Sequence, residues 1–236
     1  MMGKVPRARV ENMVVLATAV GEDGVTAVGI GPGEQWVRPV RGSGTLQLTD
    51  LCYPNNTVLR AFDIAQLAIV QRRPAPPYVE NAIADFDYAR PRLAGQVAPS
   101  QRAAWLAAHA EPAAPAVAAI YQRQERSLAL IEVTAVYCTV RRDPKGGLVT
   151  KVWAEELQQP RPIPCTGVHW RAVARRLLGE ETARNFEWPQ LRALLGCQRA
   201  YLLISLSNPH PGEYWPTVLS LETSPGYDAT VDYRNL

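Results

Sequence analysis

Short apolar runs bounded by turn residues arrive in clusters along this chain instead of alternating one by one with helices, and that order limits the available architectures. Residues 13–20, MVVLATAV, have strand length, GEDG turns them into VTAVGIG, and GEQWVRPV supplies a third strand within the first 40 residues. TLQLTDLCYPNN reads as a short strand or one helical turn entering a Pro-Asn-Asn loop. FDIAQLAIVQRR is a longer strand, and its apolar run from Ile64 to Val70 predicts burial on both faces. Residues 74–99 are punctuated by Pro74, Pro76, Pro77, Pro91 and Pro99. They read as an ordered loop anchored by Tyr78, Ile83, Phe86, Tyr88 and Leu93.

Two alanine-rich helical segments follow, SQRAAWLAAHA and PAVAAIYQRQER, and then the strand pattern returns. SLALIEVTAVYCTVRR is expected to be one long strand, turned by DPKGG into LVTKVWAEE. Thr166 is the expected N-cap of a helix that ends at Gly179, with Trp170, Val173, Ala174, Leu177 and Leu178 as its apolar stripe. WPQLRALL is a short helix stopped by Gly196, and the strands AYLLISLSN and EYWPTVLSLET close the sequence. Strands, helices, strands, helices, strands is not the alternation of a doubly wound parallel sheet. It predicts a mainly β, α+β chain of two small antiparallel barrels with inserted helices. The expected division is 1–99 with the Pro-rich loop, a helical connector or insertion at 100–126, and 127–236.

No apolar run approaches the roughly 20 residues of a membrane helix, and the first residues lack a secretory signal, so a cytoplasmic location is expected. Cys52, Cys138, Cys165 and Cys197 are far apart, without a CxxC spacing, and only three histidines accompany them. Buried free thiols and no metal or other cofactor are expected. The net charge is only +3, which gives no basic tail for bulk attraction to nucleic acid. Lys4, Lys145 and Lys151 are the only lysines, so nearly all positive charge is arginine, a planar fork suited to phosphates and bases; a GC-rich coding sequence produces the same bias.

Catalytic patterns are scarce. GIGPGE lacks GxGxxG, and no GxxxxGK[ST], G-x-S-x-G or H-E-x-x-H occurs. Asp85 and Asp87 in ADFDY could hold magnesium for a nuclease, or be two loop aspartates. His169 near a helix start, His210 in a turn, and Cys165 close to His169 are each read more simply as structural. The stronger pattern joins aromatic rings to cations on one strand face. Trp36 shares a face with Arg38 and precedes Arg41; Trp153 shares a face with Lys151 beside Arg141, Arg142 and Lys145; Arg171 and Arg175 lie one helical turn apart. Stacking rings and phosphate-tracking cations are what a single strand needs. The competing reading is core tryptophans with arginine stems packed across them.

The run MVVLATAV, the following glycine-rich strand and WVRPV, then DIAQLAIV before PAPPYVEN, and at the other end YLLISLS and YWPTVLSLE, resemble the dual-OB-domain proteins of bacteria and archaea. The resemblance implies two oligonucleotide/oligosaccharide-binding (OB) barrels in tandem and nucleic-acid binding through a barrel face. It carries no catalytic residues over, and it implies an accessory role in prokaryotic nucleic-acid-processing or defence systems. The expectation is a non-enzymatic protein that binds nucleic acid, single-stranded DNA or RNA before duplex. Its contacts are Trp36, Arg38, Arg41, Arg141, Arg142, Lys151, Trp153, Arg171 and Arg175. The alternatives are a protein-interaction subunit presenting Tyr214 and Trp215, and the Asp85/Asp87 nuclease.

Overall fold

The computed structural model describes residues 8–21, 24–210, 212–227 and 229–231, with the side chains of 209 and 210 also outside the description. Residues 1–7, parts of the turns at 22–23 and 211, and the imidazole of His210 therefore lie outside the described residues. The chain divides into two compact units, Met1–Val97 and Ala98–Leu236.

In the first unit β1 (Arg9–Gly21), β2 (Gly24–Ile30) and β3 (Trp36–Val40) form the expected meander. A capped helical turn at Leu48–Leu51 and β4 (Asp63–Arg72) follow. The segment read as loop contains two further strands, β5 (Asn81–Ala84) and β6 (Arg92–Gln96). Neither shows its pairing locally: β5 lies parallel to β3 with Arg38 opposite Asn81, and β6 is held by β4. The strands run β1-β2-β3-β5-β4, and β4 returns to pair with β1, which closes a five-stranded barrel. Closure depends on the length of β1, whose residues 14–21 pair with β2 while 9–14 pair with β4. A bulge between Val15 and Ala17 adds the needed curvature.

Burial along β4 alternates: Asp63, Ala65, Leu67 and Ile69 face the core, and Ile64, Gln66, Ala68 and Val70 stay half-exposed. The expected two-sided burial is corrected, since a barrel strand has only one inner face. Asp63, buried among apolar neighbours, accepts hydrogen bonds from the Tyr53 hydroxyl at 2.9 Å, the Arg60 N–H at 2.9 Å and the Gln96 amide at 2.7 Å. Three donors replace its lost water and fix the chain entering the strand.

The second unit opens with α1 (Pro99–His109) and α2 (Ala113–Val117), the latter running into a wide π turn at Ala118–Gln122. Then come β7 (Leu128–Val133), β8 (Tyr137–Arg142), β9 (Leu148–Trp153) and the two-residue β10 (Ile163–Pro164). The expected single strand SLALIEVTAVYCTVRR is thus broken into β7 and β8. Val133 and Val136 both enter the core, whereas strict alternation would set them on opposite faces. Glu156 accepts hydrogen bonds from the Thr134 N–H and hydroxyl, each at 2.8 Å, and so holds the break.

Helix α3 (Val168–Leu178) buries Val168, Trp170, Val173, Ala174 and Leu178 and ends at Gly179. Its N-cap is Gly167, not Thr166, whose hydroxyl, like its N–H, is turned to the Val218 carbonyl and not to the first turn of the helix. After it come β11 (Ala183–Phe186), α4 (Trp188–Leu195), β12 (Arg199–His210) and β13 (Glu213–Ser224).

These strands form two sheets, β10-β9-β8-β11 and β13-β12-β7, joined by one parallel bridge between Cys165 and Val218. The two closed barrels expected from the sequence reduce to one barrel closed by continuous ladders, in the first unit. With β10 only two residues long, the join to β13 is a bridge and not a ladder. One apolar cluster, including Val140, Val152, Cys165, Trp170, Leu202 and Val218, fills the space enclosed by both sheets.

Candidate nucleic-acid interface

In the first unit both expected cations, Arg38 and Arg41, are engaged in ion pairs. Trp36 opens β3 opposite Ile30 and is half-buried. Arg38 is 8% exposed; its guanidinium lies 3.3 Å from the Glu80 carboxylate and 5.0 Å from the centre of the Tyr78 ring. Burial lowers the pKa of this guanidinium, and Glu80 opposes the shift. Arg41 bridges Asp50, at 2.5 Å, and Asp87. A cation so compensated has little left to offer a phosphate. The Asp85/Asp87 metal pair does not assemble either, since Asp85 accepts the Tyr88 N–H at 3.2 Å while Asp87 is taken by Arg41. Among the described residues no group of three or more His, Cys, Asp or Glu side chains is placed to hold a metal ion.

In the second unit the sheet β10-β9-β8-β11 turns one face to the core and the other to solvent. On β8, Cys138 and Val140 are buried while Tyr137, Thr139 and Arg141 face outward; on β9, Val149, Lys151 and Trp153 do the same. The antiparallel register sets Tyr137 directly opposite Trp153, Thr139 opposite Lys151, and Arg141 opposite Val149. Ala183 and Asn185 of β11 and Pro164 of β10 complete the surface. Its outward strand positions hold two aromatic rings, two cations and no carboxylate. Among the described residues neither Lys151 nor Arg141 has an ion-pair partner. Trp153 is 37% exposed, and its indole N–H donates to the Gln159 carbonyl at 2.8 Å, which fixes the ring.

The other expected residues scatter. Arg142 donates to the Gly179 carbonyl at 2.8 Å, and Arg171 donates to the Leu148 carbonyl at 3.1 Å. Burial first, then the nearby Arg175, lowers the pKa of Arg171. These two arginines tie α3 and its end to the sheet, and Arg175 is half-buried. Tyr214 packs against the core, whereas its neighbour Trp215 is 54% exposed. Cys138, Cys165 and Cys197 are buried free thiols and Cys52 is half-buried; burial pushes up the Cys165 thiol, which suits a structural residue and not a nucleophile. Tyr137 and Asn185 were absent from the sequence expectation. The alternation in YCTVRR, polar against apolar, carried the signal for Tyr137.

The strand order of the first unit, 1-2-3-5-4-1 with strand 3 parallel to strand 5, is that of an OB barrel. The family model described as "Dual OB-containing domain" matches residues 11–220. The chain belongs to the dual OB-containing domain family. OB domains bind nucleic acids, sugars or proteins, so membership fixes an architecture and not a ligand. No curated protein and no solved structure matches this member of the family. Among the described residues no helix is long and apolar enough to cross a membrane.

Proposed function

We propose that this protein is a non-enzymatic, cytoplasmic single-strand nucleic-acid-binding protein, an accessory component of prokaryotic nucleic-acid processing or defence, that works through the second unit. The observation carrying this reading is the outward face on which Tyr137 and Trp153 lie opposite each other beside Lys151 and Arg141 without a carboxylate. Fixed aromatic faces accept bases of any sequence, and the adjacent cations meet the phosphates.

The second unit also follows the OB order when β7 and β8 are counted as one interrupted first strand. Then β8 pairs with β9, β9 with β10, β10 bridges β13, β13 pairs with β12, and β12 returns to β7. On that count the aromatic and basic face falls on strands 1 to 3, and strands 2 and 3 carry ligands in OB domains.

Fluorescence-anisotropy titration of labelled single-stranded DNA, single-stranded RNA and duplex DNA at two salt concentrations tests the reading. Salt-dependent binding of a single strand is expected, and no binding at low salt would overturn it. A protein-docking role is the second reading, favoured by the exposed ring of Trp215 and the small net charge. Stoichiometric co-purification of one protein, with no affinity for oligonucleotides, would select it.

A further inference from the structure

The two units offer unequal surfaces to the same kind of ligand. On the first, Trp36 has the aliphatic Ile30 as its cross-strand neighbour, and Arg38 and Arg41 carry carboxylate partners. On the second, Trp153 and Arg141 are exposed, and Tyr137 and Lys151 are half-buried on the same outward face. We infer that each chain binds one single strand, on the second unit alone, and that the strand crosses the sheet from β8 over β9 and β10 to β13, with bases stacked on Tyr137, Trp153 and Trp215. The inference rests on the single-strand reading above.

The register supplies the path. Tyr137 is opposite Trp153, and because Val152 is opposite Ile163, the residue opposite Trp153 on the next strand is Pro162. Cys165 and Val218 form the parallel bridge to β13, one step back the Thr217 hydroxyl donates to the Pro164 carbonyl at 3.2 Å, and the same register carried two residues further would bring Trp215 level with Pro162. Tyr214 and Val218 belong with the same core that receives Val152 and Ile163. Trp215 therefore points away from that core, as Trp153 does, and is 54% exposed. The three rings occupy one row across four strands, about 14 Å from end to end at ~4.8 Å per strand. Lys151 lies in the next row on the same face, opposite Thr139 and Pro164, and Arg141 in the row after it. A strand laid along the aromatic row thus has its cations on one flank, where a phosphate backbone would run. The row suits a site near the short end of the OB range, on the order of four nucleotides.

The test uses the full chain and oligothymidylates of increasing length, with anisotropy for affinity, tryptophan fluorescence for contact, and circular dichroism to verify each variant's fold. Saturation is expected at one short oligonucleotide per chain. Trp153→Ala and Trp215→Ala should each weaken binding about tenfold. Lys151→Ala should make the slope of log K against log salt shallower by about 0.7, and Trp36→Phe should leave affinity unchanged. Two equal sites per chain, or a loss with Trp36→Phe as large as with Trp153→Ala, would overturn the one-unit assignment. Loss with Trp153→Ala but none with Trp215→Ala would overturn the crossing to β13. No binding of any single strand by the wild-type chain would overturn the nucleic-acid reading itself.

Discussion

Glu222 is 6% exposed, with its carboxylate accepting a hydrogen bond from the Ser220 hydroxyl and Arg102 nearby. Burial raises its pKa from 4.5 to about 7, so the folded chain keeps a proton that the unfolded chain releases. The sign follows: stability is unaffected by this group below pH 4.5, falls as pH rises from 4.5 to about 7, and stays at the lower level above. Glu222→Gln should remove that decline, which urea midpoints at about pH 5 and about pH 8 would read. Arg38 gives the opposite kind of prediction. Arg38→Ala strands the buried Glu80 without its cation and should cost about 3–5 kcal/mol in denaturant unfolding. Arg38→Met with Glu80→Leu should recover most of that loss, because replacing a buried pair by apolar side chains removes two desolvation costs together.

At the scale of elements, the sharpest constraints are close backbone approaches. A Cβ on Gly29 of β2 would meet the Val14 carbonyl oxygen at 2.1 Å, beside the bulge that lets β1 serve two neighbours. A Cβ on Gly167, at the start of α3, would meet the Leu219 carbonyl oxygen of β13 at the same distance. Gly29→Ala and Gly167→Ala should each destabilise by about 3 kcal/mol, visible as a lowered melting temperature, whereas Gly42→Ala meets nothing nearer than the Ile83 side chain at 3.8 Å and should cost much less. The same scale explains which elements the sequence made legible. Helix α3 announces itself through the spacing of Trp170, Val173, Ala174 and Leu178, and β4 through its apolar run. By contrast β5, NAIA, sits within a Pro-rich stretch and β11, ARNF, is mostly exposed. Each is a strand because a distant partner offers hydrogen bonds, and no local periodicity records that.

On the scale of the whole molecule, a net charge of +3 supplies no bulk attraction, so affinity should depend on a few placed cations. With Arg141 and Lys151 as the phosphate contacts, the slope of log K against log salt should be near −1.4 for a single strand. A slope several times steeper would mean that other arginines take part. The amino-acid sequence by itself determined that the chain is mainly β, that its strands come in two groups separated by alanine-rich helices, and that rings and cations alternate onto shared strand faces. Those properties are local, written in side-chain order with periods of 2 and 3.6 residues. Only the tertiary structure decided that β5 joins β3 to β4 in the first barrel, that Val136 turns into the core and splits the long strand, and that Arg38 is engaged by Glu80 while Lys151 remains without an ion pair among the described residues. Each of these depends on residues far apart in sequence meeting in space, Arg38 and Glu80 across 42 positions, and a strand pattern that places two residues on one face carries no information about what covers it.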